Sequence, residues 1–550
     1  MKTILKRLEV DHDGGPINRW INNDIKPIES GRRTWGLWTF NNYWILVNSN
    51  ISSYMTGSSL IALGLTWWQA IIAIVIGQII ATALVVLNSL PGAYYHLGFP
   101  VVSRYVWGMY GSQFVIWNRI LLSLGEFKVA LFAPGYTSHA FQAWIGGECV
   151  YVCLQAIWPS LEQRIPNHLA ASTGTTTSYF VSYVIFMVIS LPVIYIRPHK
   201  LKYFFYASAT TIIIFEFVLL VWSLATMGSD GFGSTISSSG DSKDAGWNIA
   251  FGIISTIGSI AAGILNQNDY ARFARRPRDA IYGQLFSFPV YAILCAVIGI
   301  LVTAATQNRY GEAKWNLPTL LSAVIEHGGS RSRAAAFFGG AALVVSQIGV
   351  NVAGNAMSGG FDLAATFPRY INIRRGAYLT ALLSIVCNPW KLVNTATTFL
   401  AVLSSYSVFL GPMTGLMIAS YLVINRRKIN VDDLFVGNSN SIYWYTCGVN
   451  WRAAIAWVCG AAPSLPGFVA SVNTSLQIPI GLTHLYYICF LSGMSISAAV
   501  FCLLHFLFPV VAIRDFVERA PPAAILMFEY RDRWDRGDEV EASFTETTKV

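Results

Sequence analysis

The chain has 550 residues, 54% of them hydrophobic and only 12% charged. Soluble domains carry about 25% charged residues, so the composition argues against a soluble protein and for one embedded in a membrane. The net charge of +9 does not call for nucleic acid as a partner, because Lys and Arg gather between the hydrophobic segments and at the chain ends, as they do in cytoplasmic loops.

Residues 1–40 are polar and lack the apolar core of a signal peptide, so they read as a cytosolic N-terminal tail. Crossing about 30 Å of hydrocarbon takes roughly 20 helical residues. About 12 candidate spans then follow, near 41–65, 68–90, 114–147, 175–196, 203–227, 247–265, 284–306, 334–360, 376–388, 392–424, 452–473 and 482–511. The ninth is short, as expected of a tilted or partly buried segment. After residue 512 the chain turns polar and reads as a disordered cytosolic tail.

Basic residues orient these spans. Arg197, Lys200 and Lys202 lie between the fourth and fifth; Arg272, Arg275, Arg276 and Arg278 lie between the sixth and seventh. Arg369, Arg374 and Arg375 follow the eighth, and Arg426, Arg427 and Lys428 the tenth. The intervening loops hold fewer, except the one after the seventh, so both termini are expected in the cytoplasm.

Three spans depart from plain lipid-facing helix. The first, NNYWILVNSNISSYMTGSS, carries Asn48, Ser49, Asn50, Ser52 and Ser53 at its middle, too polar for a continuous helix in lipid. The sixth, GIISTIGSIAAGILNQND, has Gly258, Ser259 and Gly263, which permit unwinding and close approach of a ligand. Simple packing of small residues between helices also explains it. The two lie five helices apart, the relation expected of the opening helices of two inverted repeats, whose broken segments flank a substrate at mid-membrane. The third, SLGEFKVALFAPGYTSHAFQAWIGG, contains Glu126, Lys128 and the Pro134-Gly135 pair. Each charge at mid-bilayer costs roughly 2.5–3.5 kcal/mol, and Pro-Gly ends helices.

The remaining chemistry is sparse. Glu216, in TIIIFEFVLL of the fifth span, is the conspicuous ionisable residue inside the bilayer and a candidate to load a proton on one side and release it on the other. Asn351 and Asn355 of the eighth span stand four apart, on one helix face, and offer both donors and acceptors. The eight cysteines form no CxxC or Cys/His spacing, so no metal site is implied. No HExxH, GxSxG or Walker-type loop occurs, so the reading is a transporter and not an enzyme, with no cofactor.

These residues resemble the nucleobase:cation symporter 1 family, in its fungal uracil/allantoin permease branch. The likeness runs from residue 24 to about 511. It rests on DIKPIESGRRTWGLW, SSLIALGLTWWQAI, LPGAYYHLGFPVVSRYVWGMYG, QAWIGGE, LNQNDYARFARRPRDA, QIGVNVAGNAMSGGFDLAATFPRYINIRRGAY and NPWKLVN. The resemblance implies an all-α membrane protein of the leucine-transporter type. Its two inverted five-helix repeats would fall at 41–227 and 247–424, followed by two further helices at 452–511. It implies a plasma-membrane symporter importing uracil, allantoin, uric acid or a similar heterocycle with a cation, the alternatives being thiamine or a nucleoside. Gln142 matches the family's ring-edge amide on helix three, but Ser138 stands where an aromatic ring is expected four residues earlier. Asn351 and Asn355 match its amides on helix eight, and Ser259 and Ile260 fall at its Gly-Trp pair on helix six. Its sodium-binding hydroxyls fall on Gly349 and Val350, leaving only Ser346 a turn earlier. Proton coupling is therefore expected, with Glu216, Asn50 and Ser346 as the coupling set. The run from Arg32 to Trp35 is expected to pack on the inner face as a gate element.

The family pattern also places about four residues where this chain has Gly125 to Ala140. The excess of about twelve would shift Gln142 by ~18 Å or turn it by ~120° against the first half of its helix. Residues 125–140 are therefore expected to derive from a misread exon junction or a splice product, which would leave a non-transporting variant. A genuine loop on a diverged transporter is the other possibility.

Overall fold

The computed structural model describes residues 20–21, 24–124, 138–196, 202–229, 231–232, 245–385, 390, 395–472 and 476–536. Among them the regular elements are helical throughout. Nine helices in this set are long and apolar enough to cross a membrane. They expose large apolar side chains such as Val188, Val221 and Phe338 outward, which is the surface that lipid covers.

The first expected span is two helices, α1 (Leu37–Asn48) and α2 (Ile51–Ala62), broken at Ser49-Asn50. The break is made by Asn50, whose side-chain oxygen accepts from Ser53 N at 3.1 Å and caps α2, while its Nδ2 donates back to the Val47 carbonyl. An amide closes both ends here because unpaired backbone groups at this depth have no water to turn to. Helix α3 (Trp67–Tyr95) begins with a reciprocal capping box between Thr66 and Gln69 and ends on left-handed His96. A short α4 (Phe99–Trp107) leads to α5 (Gly111–Leu124) and α6 (Ser138–Ile157). Residues 125–137, the body of the suspected insertion, lie outside the described residues, and α6 runs ten residues beyond the expected end of the third span.

Helices α7 (Thr177–Tyr195), α8 (Lys202–Ala225), α9 (Ala245–Leu265) and α10 (Pro277–Tyr310) follow. The expected unwinding of the sixth span at Gly258–Gly263 is corrected: α9 is continuous there and breaks at Asn266-Gln267, before a last turn at Asn268–Ala271. Gly258 serves packing. A Cβ on it would lie 2.2 Å from the Leu403 carbonyl of the tenth span. Next come α11 (Leu317–Glu326), α12 (Ser330–Thr366), the twelve-residue α13 (Ile373–Ser384) and α14 (Ala396–Ile424). Helix α12 passes through a π-helical turn at Asn351–Ala356. The twelve-residue α13 stands where the short ninth span is expected, with residues 386–388 outside the described residues, and α15 (Trp451–Ser471) and α16 (Cys489–Leu507) complete the bundle.

Two glycine contacts hold the broken first span against the seventh. A Cβ on Gly57 would fall 2.2 Å from the Ala296 carbonyl, and one on Gly299 2.3 Å from the Tyr54 carbonyl. At one end of the bundle the chain before α1 is stitched to the end of the sixth span: Trp35 N donates to Phe273 O and Arg275 N to Trp35 O, both at 2.9 Å. Asp269 Oδ1 accepts from Phe99 N at the start of α4, at 2.9 Å. The disordered reading of the C-terminal segment is corrected for residues 511–536. They form α17 (Val511–Arg519) and α18 (Ala523–Arg536). Their Ile513, Val517, Leu526 and Tyr530 are buried in the main core.

Candidate functional site

A cavity of about 160 Å³ opens where α1 gives way to α2. Roughly 10–15 Å³ of such space admits one water, so it takes on the order of ten water-sized groups, the size of a small ring system. One wall is the break itself, with Asn48, Asn50, Ser52 and Ser53; α1 adds Tyr43 and Trp44. Helix α6 supplies His139 and Gln142, α9 supplies Ser259, Ile260 and Gly263, and α12 supplies Gly354, Asn355 and Ser358. No Asp, Glu, Lys or Arg is among the described residues of this wall. Its polarity comes from amides, hydroxyls and rings, a lining for a neutral ligand with hydrogen-bonding edges.

The amides are oriented by their neighbours. Gln347 Nε2 donates to Gln142 Oε1 at 2.6 Å and to the Gln142 backbone carbonyl at 3.1 Å. With its oxygen occupied, Gln142 offers the cavity its NH₂ group. Asn355 Nδ2 donates to Asn351 Oδ1 at 3.1 Å. Asn355 lines the cavity and Asn351 does not. Positions four apart share a face of an α-helix, but here they enter a π turn, and Asn351 becomes the support of Asn355. Across from them Asn266 meets Ser358 Oγ at 2.8 Å; turned so that both its ends are satisfied, its nitrogen donates to the Ala262 and Gly263 carbonyls.

Rings close the space. Tyr43 and Tyr270 lie 4.7 Å apart, and Trp35 packs on Tyr43 at 5.5 Å and on Phe273 at 5.8 Å. The Trp35 ring of the Arg32–Trp35 run thus packs behind Tyr43, one residue removed from the cavity wall. Trp44 meets Phe288 edge-on at 4.7 Å. These aromatic walls were not singled out from the sequence, nor was His139, whose Nδ1 bonds Ser384 Oγ at 3.0 Å. Gln347 was also missed, although it stands four residues before Asn351 and the spacing of 347, 351 and 355 marks one helical stripe.

Of the expected substrate-binding set, Gln142, Asn355, Ser259 and Ile260 meet at the cavity. The coupling set does not gather in one place. Asn50 lines the cavity, whereas Glu216 of α8 lies outside its wall, 2% exposed, its Oε1 accepting from Cys295 Sγ at 2.9 Å. Ser346 is wholly buried away from it, its Oγ without a partner among the described residues. At the Gly349 slot a Cβ would lie 2.6 Å from Ser208 Oγ, so a side chain there would have to displace that hydroxyl. Among the described residues no cluster of His, Cys, Asp and Glu could hold a metal ion.

Residues 27–493 match the family profile described as permease for cytosine/purines, uracil, thiamine, allantoin. The transporter aclS of Aspergillus oryzae is 34% identical, over 92% of this chain and 89% of its own. The allantoin permease of Saccharomyces cerevisiae is 33% identical, over 89% of this chain and 76% of its own, and the uracil permease of the same yeast 31% identical, over the same shares. The fold matches that of Mhp1, a nucleobase-cation-symport-1 family transporter solved closed with bromovinylhydantoin bound. Here the TM-score is 0.66 at 21% identity, over 94% of this chain and 99% of that one. With this fold, the expected leucine-transporter-type architecture holds. The chain is a multi-pass membrane protein and belongs to the nucleobase:cation symporter 1 family of permeases.

Proposed function

We propose that this protein is a proton-coupled symporter that imports a nucleobase or a related small heterocycle, such as uracil, allantoin or uric acid, across the plasma membrane, with both termini in the cytoplasm. The observation that carries this reading is the wall of the cavity: oriented amides from α6 and α12, aromatic rings from α1, and no formal charge among its described residues. Gln142 presents a donor to a ring carbonyl, and Asn355 adds amide contacts to the opposite edge. Tyr43, Trp44 and Ile260 offer flat or apolar surface to the ring faces. A wall without a carboxylate among its described residues favours a neutral base over cationic thiamine, and the volume favours a base over a nucleoside.

Proton coupling is supported by Glu216, buried within a span and in no ion pair among the described residues. It is supported also by the lack of hydroxyls at Gly349 and Val350, where the family's sodium ligands would stand. The carboxyl is loaded from the outer side and emptied to the inner side as the bundle alternates around the cavity. The test is radiolabelled uptake in cells lacking their own nucleobase permeases. Uracil, allantoin and uric acid are expected to compete for uptake better than uridine or thiamine. Losing a buried hydrogen-bond partner costs roughly 1–3 kcal/mol, so Gln142→Ala and Asn355→Ala should each raise KM about 5- to 150-fold. Uptake should rise as external pH falls, and Glu216→Gln should remove that dependence. Strongest competition by thiamine would overturn the substrate assignment, and an unchanged pH profile in Glu216→Gln the coupling assignment.

A further inference from the structure

Glu216 does not touch the cavity, yet loading it must change the cavity for transport to be coupled. Between the two stands one side chain. Cys295 of α10 is wholly buried; its Sγ lies 2.9 Å from Glu216 Oε1 and 3.4 Å from the backbone carbonyl of Asn50. Asn50 is the residue that breaks the first span and lines the cavity. The thiol has one proton and two acceptors, so it serves one of them at a time.

Resting on the proton-coupled reading above, we propose that Cys295 is a positioning residue that carries the protonation state of Glu216 to the break of the first span. When Glu216 is ionised, the thiol S–H points at the carboxylate, the stronger acceptor, and the Asn50 carbonyl loses its donor. When a proton from the outer water reaches the carboxyl, the acid O–H donates to the sulfur and the thiol proton swings to the Asn50 carbonyl. The chain then runs Glu216 O–H to Cys295 S–H to Asn50 C=O, and the break gains a hydrogen bond in the loaded state alone. Release of the proton inward reverses the sequence, with no net change at the sulfur.

No competing charge faces this pair among the described residues. The helices packed on α8 are α1, α10 and α12. Helix α1 carries no acidic or basic side chain, and α12 carries none between Arg333 and Asp362. From α10 Cys295 faces the carboxyl, and from α2 the buried Tyr54 hydroxyl, which sits beside Thr303, faces it too.

The experiment compares the intact protein with Cys295→Ala, Cys295→Ser and Glu216→Gln, reading KM and maximal rate separately at about pH 5 and about pH 7. One hydrogen bond at the break is expected to lower KM about 2- to 10-fold in the loaded state. Cys295→Ala should lose this fall of KM with acidification, and Cys295→Ser, which keeps one donor and two acceptors, should retain it. If Cys295→Ala fails to reach the membrane, Cys295→Val, which fills the space without a donor, takes its place. A wild-type pH response of KM in Cys295→Ala beside a lost response in Glu216→Gln overturns the relay and leaves proton coupling standing. A response retained in both overturns the proton reading itself.

Discussion

Gln347 is the residue whose removal should be most informative at the cavity, although it does not line it. Its Nε2 makes two bonds to Gln142, one to the side chain and one to the backbone, and so decides which end of the Gln142 amide faces the cavity. Without it the Gln142 amide can rotate and present either its oxygen or its nitrogen. Gln347→Leu should therefore raise KM about 5- to 20-fold, within the 1–3 kcal/mol that a misplaced buried hydrogen bond costs, and leave the maximal rate close to wild type. A maximal rate that falls with KM unchanged would mean that Gln347 acts on the moving parts of the bundle and not on ligand orientation. The amides themselves were legible in the sequence, because an Asn or Gln inside an apolar run needs a reason to be there. Their partners were not, because which side of an amide faces a ligand depends on contacts between helices some 200 residues apart. The same holds for Tyr43 and Trp44: aromatic residues in a span look alike whether they face lipid, core or cavity.

At the scale of elements, the two expected breaks had different fates for a physical reason. Asn48, Ser49 and Asn50 are polar enough that burial in lipid as plain helix is untenable, and the break falls there. Gly258 and Gly263 are small, and smallness is compatible with either unwinding or close packing; Gly258 packs on Leu403, and the chain breaks further on, at the amides Asn266 and Gln267. Polarity located a break and smallness did not. The C-terminal helices teach a related point. Charged composition suggested disorder, but the pairs Ile513/Val517 and Leu526/Tyr530, each four residues apart, form an apolar stripe that packs on the bundle. Two glycines make an element-scale prediction. Because a Cβ on Gly57 or Gly299 would stand 2.2–2.3 Å from a backbone carbonyl, Gly299→Ala must push the broken first span away from the seventh. Overpacking of this kind costs about 1–3 kcal/mol. Thermal unfolding of the detergent-solubilised variant should shift downward, whereas alanine at Gly36, which meets nothing within 4 Å, should leave it unchanged.

For the whole molecule the question is whether the third span can work as written. From Gln142 to the end of α6 at Ile157 the helix rises about 22 Å, so it carries the wall from the cavity to one face of the membrane. The other half of the crossing falls to α5, and the two must share an axis for Gln142 to keep its place beside Gln347 and the break of the first span. Family resemblance closes this gap with about four residues that include an aromatic ring, where this chain has Gly125 to Ala140. With Val-Trp-Tyr-Gly in place of 125–140 the third span has the length of one continuous helix and a Trp four residues before Gln142, on the same face. Stacking of a base on such a ring is worth roughly 1–3 kcal/mol, so the replaced form should bind substrate about 5- to 150-fold more tightly than the chain as it stands. Under the proposed proton coupling the driving force is ample in either form, since one proton moving down 100 mV supplies ~2.3 kcal/mol, enough for roughly 50-fold accumulation of a neutral solute. Side-by-side uptake by the two forms decides the matter. Transport by the replaced form alone identifies 125–140 as foreign to the working protein. Equal KM in both forms would show that Tyr43, Trp44 and His139 already supply the ring surface and that the interruption is a genuine loop.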